Sequence, residues 1–124
     1  MYSVEADPSK RLLVISGAGQ VTKEEVELVA QQVRAMMKEM APGFRVLTDF
    51  RWLDRMEPAA AKHVAEIMDA VAEKEVGMVV RVIPDPRKDI GFNILSQFHY
   101  GPKTKLATFE SLAEALSALM DEET

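Results

Sequence analysis

Two clusters of charged residues hold most of the chemistry this sequence could perform. Asp49 and Arg51 close one apolar run, and Asp85, Arg87 and Asp89 follow another. In an open parallel sheet, ligands bind outside the carboxyl ends of the strands, so both clusters fall where a ligand would sit. An arginine there can grip a carboxylate through two parallel N–H donors, and an aspartate can carry a proton as acid or base. If the two runs form neighbouring strands, the five groups line one crevice; if not, they are ion pairs that solvate two loops. Arg81 poses a separate question, because it interrupts an apolar strand. A charge in that place must be paired or sit at the rim of the sheet. Asp49 or Thr48 on the adjacent strand is the expected partner.

The chain has two histidines. His99 closes a helix, where its cation would favour the negative end of the helix dipole, and it is retained as a ligand-contact candidate. His63 lies mid-helix beside Lys62 and Glu66 and is expected at the surface. With no cysteine and no His-x-His, His-Glu-x-x-His or EF-hand spacing, no metal site is expected. Gly17-Ala18-Gly19 lies between a strand and a helix, as in a dinucleotide-binding turn. The third glycine of that pattern would be residue 22, which is Thr22, already committed to capping the helix. No Gly-Lys-Ser/Thr triplet and no Gly-x-Ser-x-Gly elbow occurs, so no cofactor is expected either.

The chain is 124 residues long, 48% hydrophobic and 28% charged, which suits one soluble globular domain over 1–124. No apolar run approaches the roughly 18 to 20 residues of a membrane span, and no charged-then-apolar leader is evident, so a cytoplasmic protein is expected. The formal net charge of −5 discourages nucleic acid as a partner. The surplus is local. Residues 1–42 hold five basic and six acidic groups, residues 43–105 hold ten and nine, and residues 106–124 hold none and five. The chain therefore ends in an acidic helix, with residues 120–124 expected to fray.

The elements that position these groups follow from periodicity. Residues 2–6 and 11–16 read as strands around the turn Asp7-Pro8-Ser9-Lys10. Leu12-Leu13-Val14-Ile15 is continuously apolar, as in a strand covered on both faces, and Gly17-Ala18-Gly19 is expected to end it. Thr22-Lys23-Glu24-Glu25 is a capping box for a helix to about Met40, with Val26, Val29, Ala30, Val33, Met37 and Met40 on one face. Residues 44–49 read as a strand and 50–57 as a loop. A helix from Pro58 to about Glu75 carries a broad stripe of small and apolar residues. Residues 77–83 form a buried strand. A shorter helix from Lys88 or Asp89 to Phe98 would use Ile90, Ile94, Leu95 and Phe98. A strand over 105–109 leads through a second capping box, Ser111 to Glu114, into a helix using Leu112, Leu116 and Leu119 or Met120. The order ββαβαβαβα predicts an α/β fold with a mixed, mostly parallel five-stranded sheet and about four helices.

The motifs themselves carry a resemblance. Gly19-Gln20-Val21-Thr22-Lys23-Glu24-Glu25 resembles the opening of the first helix in STAS and SpoIIAA-like domains. Leu47-Thr48-Asp49-Phe50-Arg51 is similar to their third strand, and Phe109-Glu110-Ser111-Leu112-Ala113-Glu114-Ala115-Leu116 to their final helix entry. The element order agrees along nearly the whole chain. In the anti-sigma-factor-antagonist branch a partner kinase phosphorylates a serine at the start of the second helix. Here Glu57-Pro58-Ala59-Ala60 follows Asp49, and Ala59 stands at the usual serine position. A methyl group accepts no phosphate, so the resemblance is to the SpoIIAA-like branch without that phosphoacceptor.

The resemblance implies a binding or regulatory module rather than an enzyme, acting on a protein partner or on itself. The broad apolar helix predicts a homodimer, because it offers more area than one sheet needs to cover. Two other functions fit the residues. Eight methionines and the alanine-rich helix could floor a pocket for a small apolar or amphipathic acid, with Arg51 or Arg87 pairing its carboxylate. An enzyme using Asp49, Asp85 or His99 as acid or base is the other.

Overall fold

The computed structural model describes residues 1–121. Strands β1 (Tyr2–Asp7) and β2 (Leu12–Val21) form an antiparallel hairpin, followed by helix α1 (Lys23–Met37). Next come β3 (Arg45–Met56), a 3-10 turn at Pro58–Ala60, and α2 (Ala61–Glu73). Then β4 (Met78–Val82), α3 (Pro86–His99), β5 (Lys105–Phe109) and α4 (Leu112–Asp121) complete the order. The sheet runs β1-β2-β3-β4-β5, with β2 to β5 mutually parallel. The expected mixed α/β architecture is the one observed.

Topology decides which helix covers which face. Each crossover from β2 to β5 steps one strand in the same direction, and right-handed crossovers then place α1, α2 and α3 on one side. That side buries Leu13, Val33, Phe44 and Val71 toward one end and Val26, Phe50, Val64, Met68 and Ile83 toward the other. The last helix, α4, closes the opposite face with Ala115 and Leu119 against Leu47, Val80 and Val82. One helix cannot cover five strands. Leu12 and Val14 are accordingly half-buried, where their continuous apolar run predicts burial on both faces.

Both expected caps form. Glu25 N–H donates to Thr22 Oγ1 at 3.2 Å and Thr22 N–H to the Glu25 carboxylate at 3.1 Å. At α4, Glu114 N–H donates to Ser111 Oγ at 3.3 Å, and that hydroxyl donates to the Glu114 carboxylate at 2.9 Å. Val26, Val29, Ala30, Val33 and Met37 are all buried, as their spacing requires.

Two expected breaks are continuous strand instead. Gly17-Ala18-Gly19 does not end β2, which runs on to Val21, and residues 50–56 are β3 rather than loop. The register explains the misreading. Ser16 pairs with Asp49 but Ala18 with Trp52, and Gly19 pairs with Leu53 but Gln20 with Arg55. Thus β3 bulges twice, and each bulge resets the two-residue alternation by which strands are recognised. Phe50 and Leu53, an odd number of residues apart, consequently enter the same core cluster. Gly19 takes φ +63 opposite the second bulge, a conformation that side chains disfavour.

Helix ends and faces shift too. The segment at Pro58 is a 3-10 turn before α2 starts at Ala61, and α3 begins at Pro86, ahead of the expected Lys88 or Asp89. In α4, Ala115 and Leu119 are buried while Leu116 and Met120 are exposed. Of the acidic tail expected over 120–124, Met120 and Asp121 end α4, and residues 122–124 lie outside the described residues.

Candidate functional site

Alternation along β4 sends Met78, Val80 and Val82 toward α4 and Val79, Arg81 and Ile83 toward the three-helix face. Arg81 is 5% exposed, and α3 lies over it. Its Nε donates to the Asp89 carboxylate at 3.0 Å and its Nη1 to Ser96 Oγ at 2.8 Å. Asp89 and Ser96 are seven residues apart, two helical turns, so one stripe of α3 delivers both. Ser96 Oγ in turn donates to the Phe92 carbonyl at 2.8 Å. The expected partners of Arg81, Asp49 and Thr48, are not the ones it uses. Strand side chains stand perpendicular to the sheet, so Arg81 meets the helix above it rather than its neighbours in the plane.

This polar clamp matters because α3 has little apolar purchase. Ser96 is its only buried residue. Phe92 and Leu95 are partly buried, and the Phe92 ring centroid lies 4.9 Å from that of Phe50. Ile90, Ile94 and Phe98, expected in the core, are 60%, 50% and 80% exposed. Spaced by four, they make an apolar stripe along the outward face of α3.

The sequence-derived candidates sort into separate pairs. Arg51 donates to Asp49 through Nε at 3.0 Å and Nη2 at 2.9 Å, and its guanidinium carbon lies 5.7 Å from the Trp52 ring centroid. The Arg51 side chain, bonded to Asp49, holds that carboxyl below its ordinary pKa. Arg87 grips Asp85 in the same way, at 3.1 and 3.0 Å, and lowers its pKa likewise. Asp85 also caps α3, accepting from Arg87 N–H at 3.0 Å. Although β3 and β4 are neighbours, the five groups do not form one crevice: Asp89 is taken by Arg81, and the other four close on themselves. Asp49 follows Leu47 by two residues, on the α4 side of the sheet, whereas Asp89 rides on α3 on the other side.

His99 ends α3 and its Nδ1 lies 2.7 Å from Asp69 Oδ1 on α2, tying the two helices together. His63 is a correction: it is 6% exposed, between α1 and α2, rather than at the surface. Its Nδ1 lies 3.4 Å from a Glu66 oxygen and its Nε2 3.9 Å from one of Glu27, but neither nitrogen has a hydrogen bond among the described residues. Reading its neighbours Lys62 and Glu66 hid the row it belongs to, because His63 lies one turn before Ile67 on the inward face. Ser96, Asp69 and Tyr100 were not singled out from the sequence at all. An aspartate and a serine two turns apart on a helix following Arg81 was the available signal.

This geometry offers poor acid–base chemistry. Asp49 and Asp85 are held ionised by arginines, which suits binding better than proton transfer near neutrality. Among the described residues no cluster of three metal-ligating side chains occurs, and no helix is long and apolar enough to cross a membrane.

The architecture is that of known structures. The chain is similar to an uncharacterised DUF3478 protein with a SpoIIAA-like fold from Shewanella loihica, with a TM-score of 0.69 and 19% identity over 96% of this chain and 92% of that one. It is also similar to an anti-sigma factor antagonist from Mycobacterium paratuberculosis, with a TM-score of 0.61 and 17% identity over 98% and 96%. A further likeness is to a chain of the complex between the diguanylate cyclase SiaD and its activator SiaC from Pseudomonas aeruginosa, with a TM-score of 0.57 and 12% identity over 87% and 92%. No family model matches the sequence, and no curated protein matches it. The chain is thus a mixed α/β domain. Its fold is the SpoIIAA-like fold, as its motifs suggested.

Proposed function

We propose that this protein is a non-enzymatic regulatory module of the cytoplasm that docks a protein partner through the outward face of α3. The observation that carries the reading is the apolar stripe Ile90, Ile94 and Phe98, exposed on a helix whose inner side is held mainly by a polar clamp. Isolated exposed apolar residues are ordinary, but three in one row on one helix make a recognition face. Two of the similar structures are named for regulatory roles, an anti-sigma factor antagonist and a cyclase–activator complex, and this supports the same class here.

The module is not switched by phosphate at the entry to α2. Ala59 sits exposed on the 3-10 turn at the usual serine position, and it has no hydroxyl. Without a partner, the same α3 face pairs two copies of the chain. The dimer was expected through α2, but that helix packs against α1, the sheet and α3, with His63, Val64, Met68 and Val71 buried. The acid-carrier reading based on Arg51 and Arg87 loses support, since each guanidinium is spent on its own aspartate.

Affinity capture with the wild-type chain and with an Ile94→Glu/Phe98→Glu variant tests the docking reading. A partner retained by the wild type and lost by an equally heat-stable variant is the expected result. Equal retention by both would remove α3 from the docking role.

A further inference from the structure

Beneath α3, on the side away from the docking face, the fold leaves space beside hydrogen-bonding groups. A cavity of about 70 Å³ lies between the sheet and the helices, walled by apolar side chains such as Ile15, Val29, Phe50 and Val71. Arg81, Thr48 and Tyr100 also line it. Next to it, a groove of about 490 Å³ runs between the end of β3, the start of α2 and α3, lined by residues including Leu53, Ala61 and Leu95. Met56, Val64 and Phe92 wall both spaces. Met56 has the most adaptable side chain of the three, suited to swinging aside between groove and cavity.

The polar end has donors to spare. The β3–β4 register sets Thr48 directly beside Arg81. A guanidinium has five N–H donors, and Arg81 uses one on Asp89 and one on Ser96. Among the described residues, neither the Thr48 hydroxyl nor the Tyr100 hydroxyl has a hydrogen-bond partner. Burial raises the Tyr100 pKa well above the ordinary phenol value, so the hydroxyl keeps its proton. Three donor-bearing side chains facing apolar space call for a ligand whose head accepts hydrogen bonds.

Charge then narrows the class. Asp89, at 3.0 Å, already neutralises Arg81, and the two side chains are 17% and 6% exposed. A second anion at the Arg81 end would give that largely buried end a net negative charge, because the cations Arg55 and Lys88 line the groove and not the cavity, and its desolvation would be costly. We propose that the cavity and groove together bind an uncharged, medium-chain apolar molecule bearing a carbonyl-type acceptor. Its head takes the spare donors of Arg81, Thr48 and Tyr100, and its chain passes Phe92 into the groove. The cavity lies on the side of α3 away from Ile90 and Phe98, and Ile94 alone is shared, at the rim of the groove, so the test here uses Thr48, Ala61 and Tyr100 instead.

The test titrates the full chain with 2-decanone, decanoate and decane at pH 8, following backbone amide shifts. The ketone should give saturable shifts around Thr48, Phe92 and Tyr100, with decane and decanoate each weaker by roughly tenfold or more. Thr48→Val and Tyr100→Phe should each weaken ketone binding by roughly tenfold. Ala61→Trp, which fills the groove without touching the polar end, should abolish it in a folded protein. The proposal is overturned by no saturable shift, by decanoate binding more tightly than the ketone, or by decane binding equally well. Undiminished binding in folded Ala61→Trp would overturn it as well.

Discussion

Arg81 and Arg87 are each held to an aspartate at 3.0 Å, yet the two pairs do different things. Arg87 is 87% exposed and closes on Asp85 two residues away, within a single turn of chain. The Arg81 side chain is 6% exposed and reaches from β4 to a helix in the next layer. Contact distance is the same, so the difference lies in how much water each pair has lost and in what it joins. The first pair decorates the start of α3; the second holds α3 to the sheet. That contrast leaves α3 free to show apolar residues to solvent, because its attachment does not depend on burying them.

The comparison can be broken most directly at Arg81. Arg81→Ala leaves Asp89 without its partner in a poorly hydrated site and should cost about 3 kcal/mol in urea unfolding. A loss no larger than that of a surface substitution would place the two pairs on the same footing. The next effect depends on pH. Tyr100 has a folded-state pKa raised by burial. Its stabilising contribution is therefore complete below the unfolded phenol value of about 10 and is lost as pH rises toward the folded value. Denaturant midpoints should fall with alkali above about pH 10 in the wild type, and less steeply in Tyr100→Phe. Parallel curves would indicate a solvated hydroxyl. The smallest effect belongs to Arg87→Ala, which should leave the thermal unfolding midpoint unchanged within error, because water already screens that pair.

Much of this was legible in the sequence, and the failures have physical reasons. The helix starts at Thr22 and Ser111 rest on local hydrogen bonds between residues three apart, so spacing alone reveals them. The extensions of β2 and β3 rest on two bulges, which no periodic reading anticipates. Asp85 and Arg87 follow β4 as expected, but Asp49 and Arg51 lie inside β3 and not at its end, and sequence cannot tell a shared crevice from two closed pairs. Asp49 and Thr48, the expected partners of Arg81, stand beside it in the plane of the sheet, whereas a strand residue points out of that plane. Ile90, Ile94 and Phe98 were read as core because apolar spacing marks a face without saying whether anything covers it. On α3 nothing does.

Native mass spectrometry of freshly purified chain tests the uncovered face of α3 most directly. The wild type should appear as a dimer at micromolar concentration, and the Ile94→Glu/Phe98→Glu variant as a folded monomer. A wild-type monomer at high concentration, or a dimer that survives both substitutions, would contradict the claim that α3 is the association surface.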